Sequence, residues 1–138
     1  MYLIDTTIIS EVRKGRRCDP NVAAWFRDVP DDALFLSVLV VGEIRQGIER
    51  LRPRNPRQAQ ALEHWLEELL QSFGDRILPV DEKVAQNWGR LTRSRVFPVI
   101  DSLLAATAEA HGLTLATRDV KDLECSGVRC LNPFELRA

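Results

Sequence analysis

The chain has 138 residues, 45% hydrophobic and 28% charged. That composition excludes intrinsic disorder, because the apolar share is large enough to offset the entropy of ordering. Basic and acidic side chains nearly balance, 19 against 20 for a net charge of −1, which excludes nucleic-acid binding through bulk charge and leaves only a local basic patch open.

No apolar run approaches the roughly 18 residues that read as a membrane span. The start, Met1-Tyr2-Leu3-Ile4-Asp5, is not a basic region leading into a long apolar stretch. The expectation is one cytoplasmic domain over residues 1–138, away from membranes. Cys18, Cys125 and Cys130 form no C-x-x-C pair and have no histidine at ligand spacing, so they read as free thiols packed as small hydrophobes. His64 and His111 fall within predicted helices and read as surface or helix-terminal residues.

Taken in chain order, Tyr2-Leu3-Ile4 is predicted as the first strand and Thr6 to Lys14 as a helix, ended by Gly15. Pro20 opens a second helix with Val22, Ala23, Trp25 and Phe26 as its apolar positions. Leu34-Phe35-Leu36 reads as the second strand. Ser37 is a good N-cap for a helix to about Leu51, with an apolar stripe of Val40, Val41, Ile44, Ile48 and Leu51. After Pro53 and Pro56 a long amphipathic helix runs to about Phe73, carrying Leu62, Trp65, Leu66, Leu69 and Leu70.

Arg76 to Val80 reads as an edge strand, because Pro79 cannot donate to a ladder. Asp81 caps a helix through Leu91, and Asp101 opens a helix to His111 that Gly112 closes. Leu113 to Thr117 is the fourth strand and Val128 to Leu131 a short fifth. Strands joined by helices predict an α/β domain with a mainly parallel sheet and right-handed crossovers.

Sites in open α/β sheets gather beyond the carboxyl ends of the strands. Asp5 follows the first strand, Glu43 lies in the second turn of the helix after the second strand, Asp119 follows the fourth strand, and Asp101 heads the helix before it. Glu43 borders the apolar stripe of its helix. The helix at Asp101 is apolar on nearly every side and should be buried against the sheet. Taken singly, Asp5, Asp101 and Asp119 are all compatible with N-caps worth about 1 kcal/mol each, and Glu43 with a solvated helix residue. Together at one sheet edge they repel one another while ionised, and a hard divalent ion resolves that repulsion. Mg²⁺ fits such an all-oxygen set, and with open water positions it suits phosphoryl chemistry. No Walker loop, G-x-S-x-G or H-E-x-x-H competes.

Leu3-Ile4-Asp5-Thr6, Glu43 in the helix after Ser37, Asp101-Ser102-Leu103-Leu104-Ala105-Ala106-Thr107 and Ala116-Thr117-Arg118-Asp119 together resemble the PIN-domain family. Within it they are similar to the VapC and FitB-like toxins of bacterial toxin–antitoxin pairs. The resemblance covers nearly the whole chain, including Asn132-Pro133-Phe134. It implies a three-layer α/β/α fold and an Mg²⁺- or Mn²⁺-dependent endoribonuclease that arrests growth. It implies an acidic site of Asp5, Glu43, Asp101 and Asp119, with the metal on Asp5 and Asp101 and with Thr117 in support. It further implies a homodimer neutralised by a small antitoxin, whose tail covers an apolar groove and through which alone operator DNA is bound. Many members read Asp-Thr-Asn or Asp-Thr-Ser where this chain has Asp5-Thr6-Thr7, which keeps a hydroxyl and loses an amide.

Two other readings stand beside this one. A receiver-like signalling domain also clusters acids at a sheet edge and would place its phosphoacceptor at Asp81, but it lacks the lysine such domains need. A non-catalytic interaction module of the same fold would have no use for the four acids. RNA binding needs local basic charge, and three clusters offer it: Arg13, Lys14, Arg16 and Arg17; Arg50, Arg52, Arg54 and Arg57; Arg90, Arg93 and Arg95. The first is favoured, since its helix starts at the proposed metal site. Trp25, Phe26, Trp65 and Trp88 read mainly as core, with part of the Trp25/Phe26 and Trp65/Leu69 surface open to an antitoxin or a second copy.

Overall fold

Strand β1 (Tyr2–Ile4) lies at the centre of a five-stranded sheet. A computed structural model describes residues 1–91, 98–123 and 127–136. The elements that follow β1 are α1 (Thr6–Val12), α2 (Pro20–Asp28), β2 (Leu34–Ser37), α3 (Val38–Leu51), α4 (Pro56–Phe73), β3 (Ile77–Leu78), α5 (Glu82–Leu91), α6 (Val99–Ala110), β4 (Thr114–Ala116), α7 (Val120–Leu123) and β5 (Cys130–Leu131). The strand order is β3-β2-β1-β4-β5, and every neighbouring pair is parallel. Leu3 stands opposite Phe35 on one side and Leu115 on the other.

The chain winds outward from β1 through β2 to β3, then crosses back to β4 and β5. The topological switch point is therefore the crevice between the carboxyl ends of β1 and β4, where α/β sheets place their ligands. The order also differs from the 2-1-3-4-5 order of receiver-type folds. Asp81 is spent as the N-cap of α5, its carboxylate accepting from Val84 N at 3.0 Å. Right-handed crossovers put α1–α4 on one face and α5–α7 on the other. The helix contacts divide in the same way: α1 with α2 and α3, and α3 with α4, against α5 with α6, and α6 with α7. This is the three-layer α/β/α arrangement.

Local chemistry explains most boundaries. Ser37 ends β2 and caps α3 through Leu39 N at 3.0 Å. Asp19 caps α2 through the amides of Asn21 and Val22, with Pro20 in the first turn. Asn55 caps α4 in the same manner, again followed by proline. Gly15, at φ +61°, adopts the left-handed conformation that closes α1. The helix stops at Val12, two residues short of the predicted Lys14, and a 3₁₀ turn over Gly15–Arg17 follows.

The core forms where α6 meets the sheet. Leu3, Ile4, Leu34, Leu36, Leu115 and Ala116 of the strands are buried against Leu104, Ala105 and Ala108 of α6 and Val40, Ile44 and Ile48 of α3. Each fully buried Leu or Ile contributes about 1.5–3 kcal/mol relative to exposure. In α2 the buried residues are Val22, Ala24 and Trp25, whereas Ala23, predicted to face inward, is exposed. Helix α7 was not predicted. β3 keeps only Ile77–Leu78 and occupies an edge, as Pro79 requires. No helix among the described residues is long and apolar enough to cross a membrane.

One boundary bears on function. Helix α6 begins at Val99, with Pro98 in the N-cap position, so Asp101 lies within its first turn and does not open it. A carboxylate there still interacts favourably with the helix dipole. The helix ends at Ala110, just before β4 starts, and so runs opposite to the strands. Its first turn, carrying Asp101, therefore points towards the carboxyl ends of the sheet. Ser102 fastens this turn to α5 by accepting from Trp88 Nε1 at 2.9 Å and donating to Val99 O at 2.8 Å.

Candidate active site

Asp5 leaves the end of β1 and caps α1, and it is 6% exposed. Its amide donates to Ala116 O at 2.9 Å, tying it to the end of β4. Its carboxylate accepts three hydrogen bonds: Oδ1 from Thr6 N at 2.7 Å, and Oδ2 from Thr7 Oγ1 at 3.0 Å and Thr117 Oγ1 at 2.8 Å. An ionised carboxylate offers about four acceptor positions, so one side of Oδ1 stays open for a further partner. Thr7 thus contributes its hydroxyl to Asp5.

Two threonines join Asp5 to other acids. Thr6, whose amide donates to the Asp5 cap, donates its hydroxyl to Glu43 Oε1 at 2.6 Å. Thr117, buried after β4 with its amide on Leu131 O at 2.9 Å, donates to Asp5 and accepts from Asp119 N at 3.1 Å. Asp5 and Glu43 are thereby linked through Thr6, and the backbone of Asp119, whose side chain is exposed, is held beside Asp5 at the switch point. Asp101 is half-buried and stands outside these particular bonds, in the first turn of α6. Ile100, next to it, lines with Val38, Leu39, Gly42 and Glu43 a hollow of about 380 Å³, so the starts of α3 and α6 adjoin there. Among the described residues, no group of three or more His, Cys, Asp or Glu side chains is arranged to hold a metal ion.

Glu43 also borders a second hollow, of about 220 Å³, with Arg13 at its rim and Ile44, Ile48, Leu62 and Trp65 as apolar wall. Of the basic residues predicted for RNA, Arg13 is thus beside the acids. Lys14 is engaged by Glu11 at 3.0 Å, and Arg52 by Glu49 and Glu63. Arg93 and Arg95 lie outside the described residues, as does Cys125. Cys18 and Cys130 are free. Burial, together with Glu11 and Asp19, pushes the Cys18 thiol up, away from reactivity. His64 is exposed on α4, and His111 caps the end of α6. Trp25 is buried, while Phe26, Trp65 and Trp88 are half-buried.

Sequence reasoning did not single out Thr6 as a bridge, although its place between Asp5 and an inward-facing helix was the available signal. Residues 2–123 match the PIN domain. The chain belongs to the PIN-domain family. It is 33% identical to a VapC ribonuclease of Sinorhizobium fredii, over 98% of this chain and 99% of that protein. It is 35% identical to the toxin FitB of Neisseria gonorrhoeae, over 97% and 99%. Among solved structures, FitAB bound to a DNA fragment superimposes with a TM-score of 0.89 at 32% identity, covering 100% of this chain and 99% of that one.

Proposed function

We propose that this PIN-domain protein is a divalent-metal-dependent endoribonuclease, the toxin of a toxin–antitoxin pair acting in the cytoplasm, with Asp5, Glu43, Asp101 and Asp119 as its active site. The ribonuclease and toxin assignments rest on near-full-length similarity to a VapC ribonuclease and to FitB. The observation that carries the site is the buried Asp5 carboxylate, bound to Thr117 and Thr7 and joined through Thr6 to Glu43 at the sheet's switch point.

The donor set is carboxylate and hydroxyl oxygen only, which suits Mg²⁺ or Mn²⁺ over zinc or copper. Asp5 and Asp101 are the residues to hold such an ion. When bound, it supplies Lewis-acid stabilisation of phosphate oxygens and makes water a better nucleophile. The protein's own part is positioning. Thr6 holds Glu43 through Oε1, and the second carboxylate oxygen, Oε2, is the acceptor for the proton of the attacking water. Water attacks phosphorus in line as its proton passes to Glu43, and the bond to the 3′-oxygen breaks, that oxygen taking a proton from solvent. Thr117 sets the backbone of Asp119 from the opposite side.

The partner is a cognate antitoxin. The hollow walled by Ile44, Ile48, Leu62 and Trp65 and opening on Glu43 suits an apolar helical tail that carries one cation towards the acids. Operator DNA is then bound by the antitoxin. The exposed Val38 and Val99 beside the other hollow suit contact with a second copy, giving a homodimer. Calorimetric titration of Mn²⁺ into the antitoxin-free protein tests the metal assignment. Binding should be at least tenfold weaker in Asp5→Asn and Asp101→Asn. Equal binding by all three proteins would remove those two residues from the metal.

A further inference from the structure

The Ala116-Thr117-Arg118-Asp119 and Asn132-Pro133-Phe134 segments meet in space, and the acid site uses only part of them. The guanidinium carbon of Arg118 lies 4.3 Å from the centre of the Phe134 ring. The backbone that carries this ring is held at its amide and its carbonyl: Phe134 N donates to Asn132 Oδ1 at 3.0 Å, and Asn21 Nδ2 donates to Phe134 O at 2.9 Å. The backbone at Arg118 is equally constrained, because Thr117 is locked to β5 and Asp5 while Asp119 N returns to the Thr117 hydroxyl.

Several other cations of the protein have partners. Lys14 is paired with Glu11, Arg45 and Arg52 with Glu49 and Glu63, and Arg76 with the carbonyls of Leu34 and Ser72. Arg118 is exposed and has no ion pair among the described residues. Stacking occupies one face of its fork and leaves the edge N–H donors open, and that edge matches phosphate oxygens. Glu11 is held below the ordinary carboxylate range by Lys14 and the Asp19 amide, with Arg118 adding to the effect. Lys14 and Arg118 therefore both act on Glu11.

We propose that Arg118, presented by its stack on Phe134, binds a phosphate of the RNA backbone next to the one that is cut. The assignment rests on the ribonuclease reading above. It makes Arg118 a substrate-binding residue and Phe134 and Asn132 its positioning residues.

The test compares wild type, Arg118→Ala, Arg118→Lys and Phe134→Leu. It measures cleavage of a mixed-sequence single-stranded RNA in Mg²⁺ and anisotropy binding of the same labelled RNA in EDTA. Arg118→Ala should raise KM about tenfold, the loss expected for a charged hydrogen bond, with kcat within about twofold. Affinity in EDTA should fall by the same factor. The slope of log affinity against log salt should shrink by about 0.7, one single-strand phosphate contact. Arg118→Lys should keep the slope and recover part of the affinity, and Phe134→Leu should lie between Arg118→Lys and Arg118→Ala. If Arg118→Ala melts out, Arg118→Lys and Phe134→Leu carry the comparison. Unchanged KM and slope, or a loss in kcat alone, would overturn the assignment of Arg118 while leaving the ribonuclease intact. A wild type that neither binds nor cuts RNA would sink the ribonuclease reading, and this one with it.

Discussion

Thr117 donates its hydroxyl to Asp5 at 2.8 Å across 112 residues of sequence, and both side chains are buried. The same oxygen accepts from Asp119 N, so one hydroxyl couples the ends of β1 and β4 to the following turn. Thr117→Val keeps the shape and removes both bonds. Leaving buried partners unsatisfied costs about 1–3 kcal/mol, which urea denaturation should register. Thr117→Ser should restore most of it. RNA cleavage should fall by about tenfold or more in the valine variant, because misplacement of catalytic groups is costly. Wild-type stability in Thr117→Val would show that the bond contributes nothing net.

Thr6 should behave differently. Its hydroxyl serves Glu43, which is only half-buried, so water can replace it in Thr6→Val. The expected outcome is a stability loss below about 1 kcal/mol with cleavage reduced several-fold. A stability loss as large as that of Thr117→Val, with activity intact, would mark Thr6 as structural only.

The ion pairs between α3 and α4 predict an acid response. Arg52 and Arg45 hold Glu49 down to about 2 from an ordinary 4.5, and lower Glu63 as well. Folded pKa values below the unfolded ones mean that the stabilisation is complete above about pH 4.5 and is lost as pH falls towards 2. Glu49 is half exposed, so solvent and salt screen the pairs and the effect is small. Melting temperature should decline over that window, and Glu49→Gln should flatten part of the decline. An identical acid profile in Glu49→Gln would contradict the assignment.

Trp25 packs edge-on against Tyr2 at 5.2 Å, yet its buried Nε1 has no hydrogen-bond partner among the described residues. Trp25→Phe sheds that unsatisfied N–H along with some packing, two terms that oppose each other. Its stability should stay within about 1 kcal/mol of wild type by chemical denaturation, against the 3–5 kcal/mol typical of truncating a buried aromatic to alanine. A loss of that larger size would mean that the indole ring is irreplaceable in packing.

What could be read in the sequence was what local chemistry determines. Ser37, Asp81 and Pro20 announce helix starts because the cap or ring acts on the next few residues. Asp5 was legible as a strand-end acid for the same reason. Pro98 disguised the start of α6, since an N-cap without a side-chain acceptor leaves no polar signal, and Asp101 looked like the cap. Ala23 and Ala24 carry the same side chain, and only the packing of α2 shows that Ala24 faces inward. The link from Thr6 to Glu43 was invisible because it exists only once the crossover has laid α3 beside α1.

The most direct test is cleavage of a structured RNA by antitoxin-free protein in Mg²⁺ and in EDTA, beside Asp101→Asn. Cleavage in Mg²⁺ that is absent in EDTA and lost in the variant is the predicted result. Equal cutting by wild type and Asp101→Asn, or cutting that survives EDTA, would contradict a metal-dependent nuclease built on these four acids.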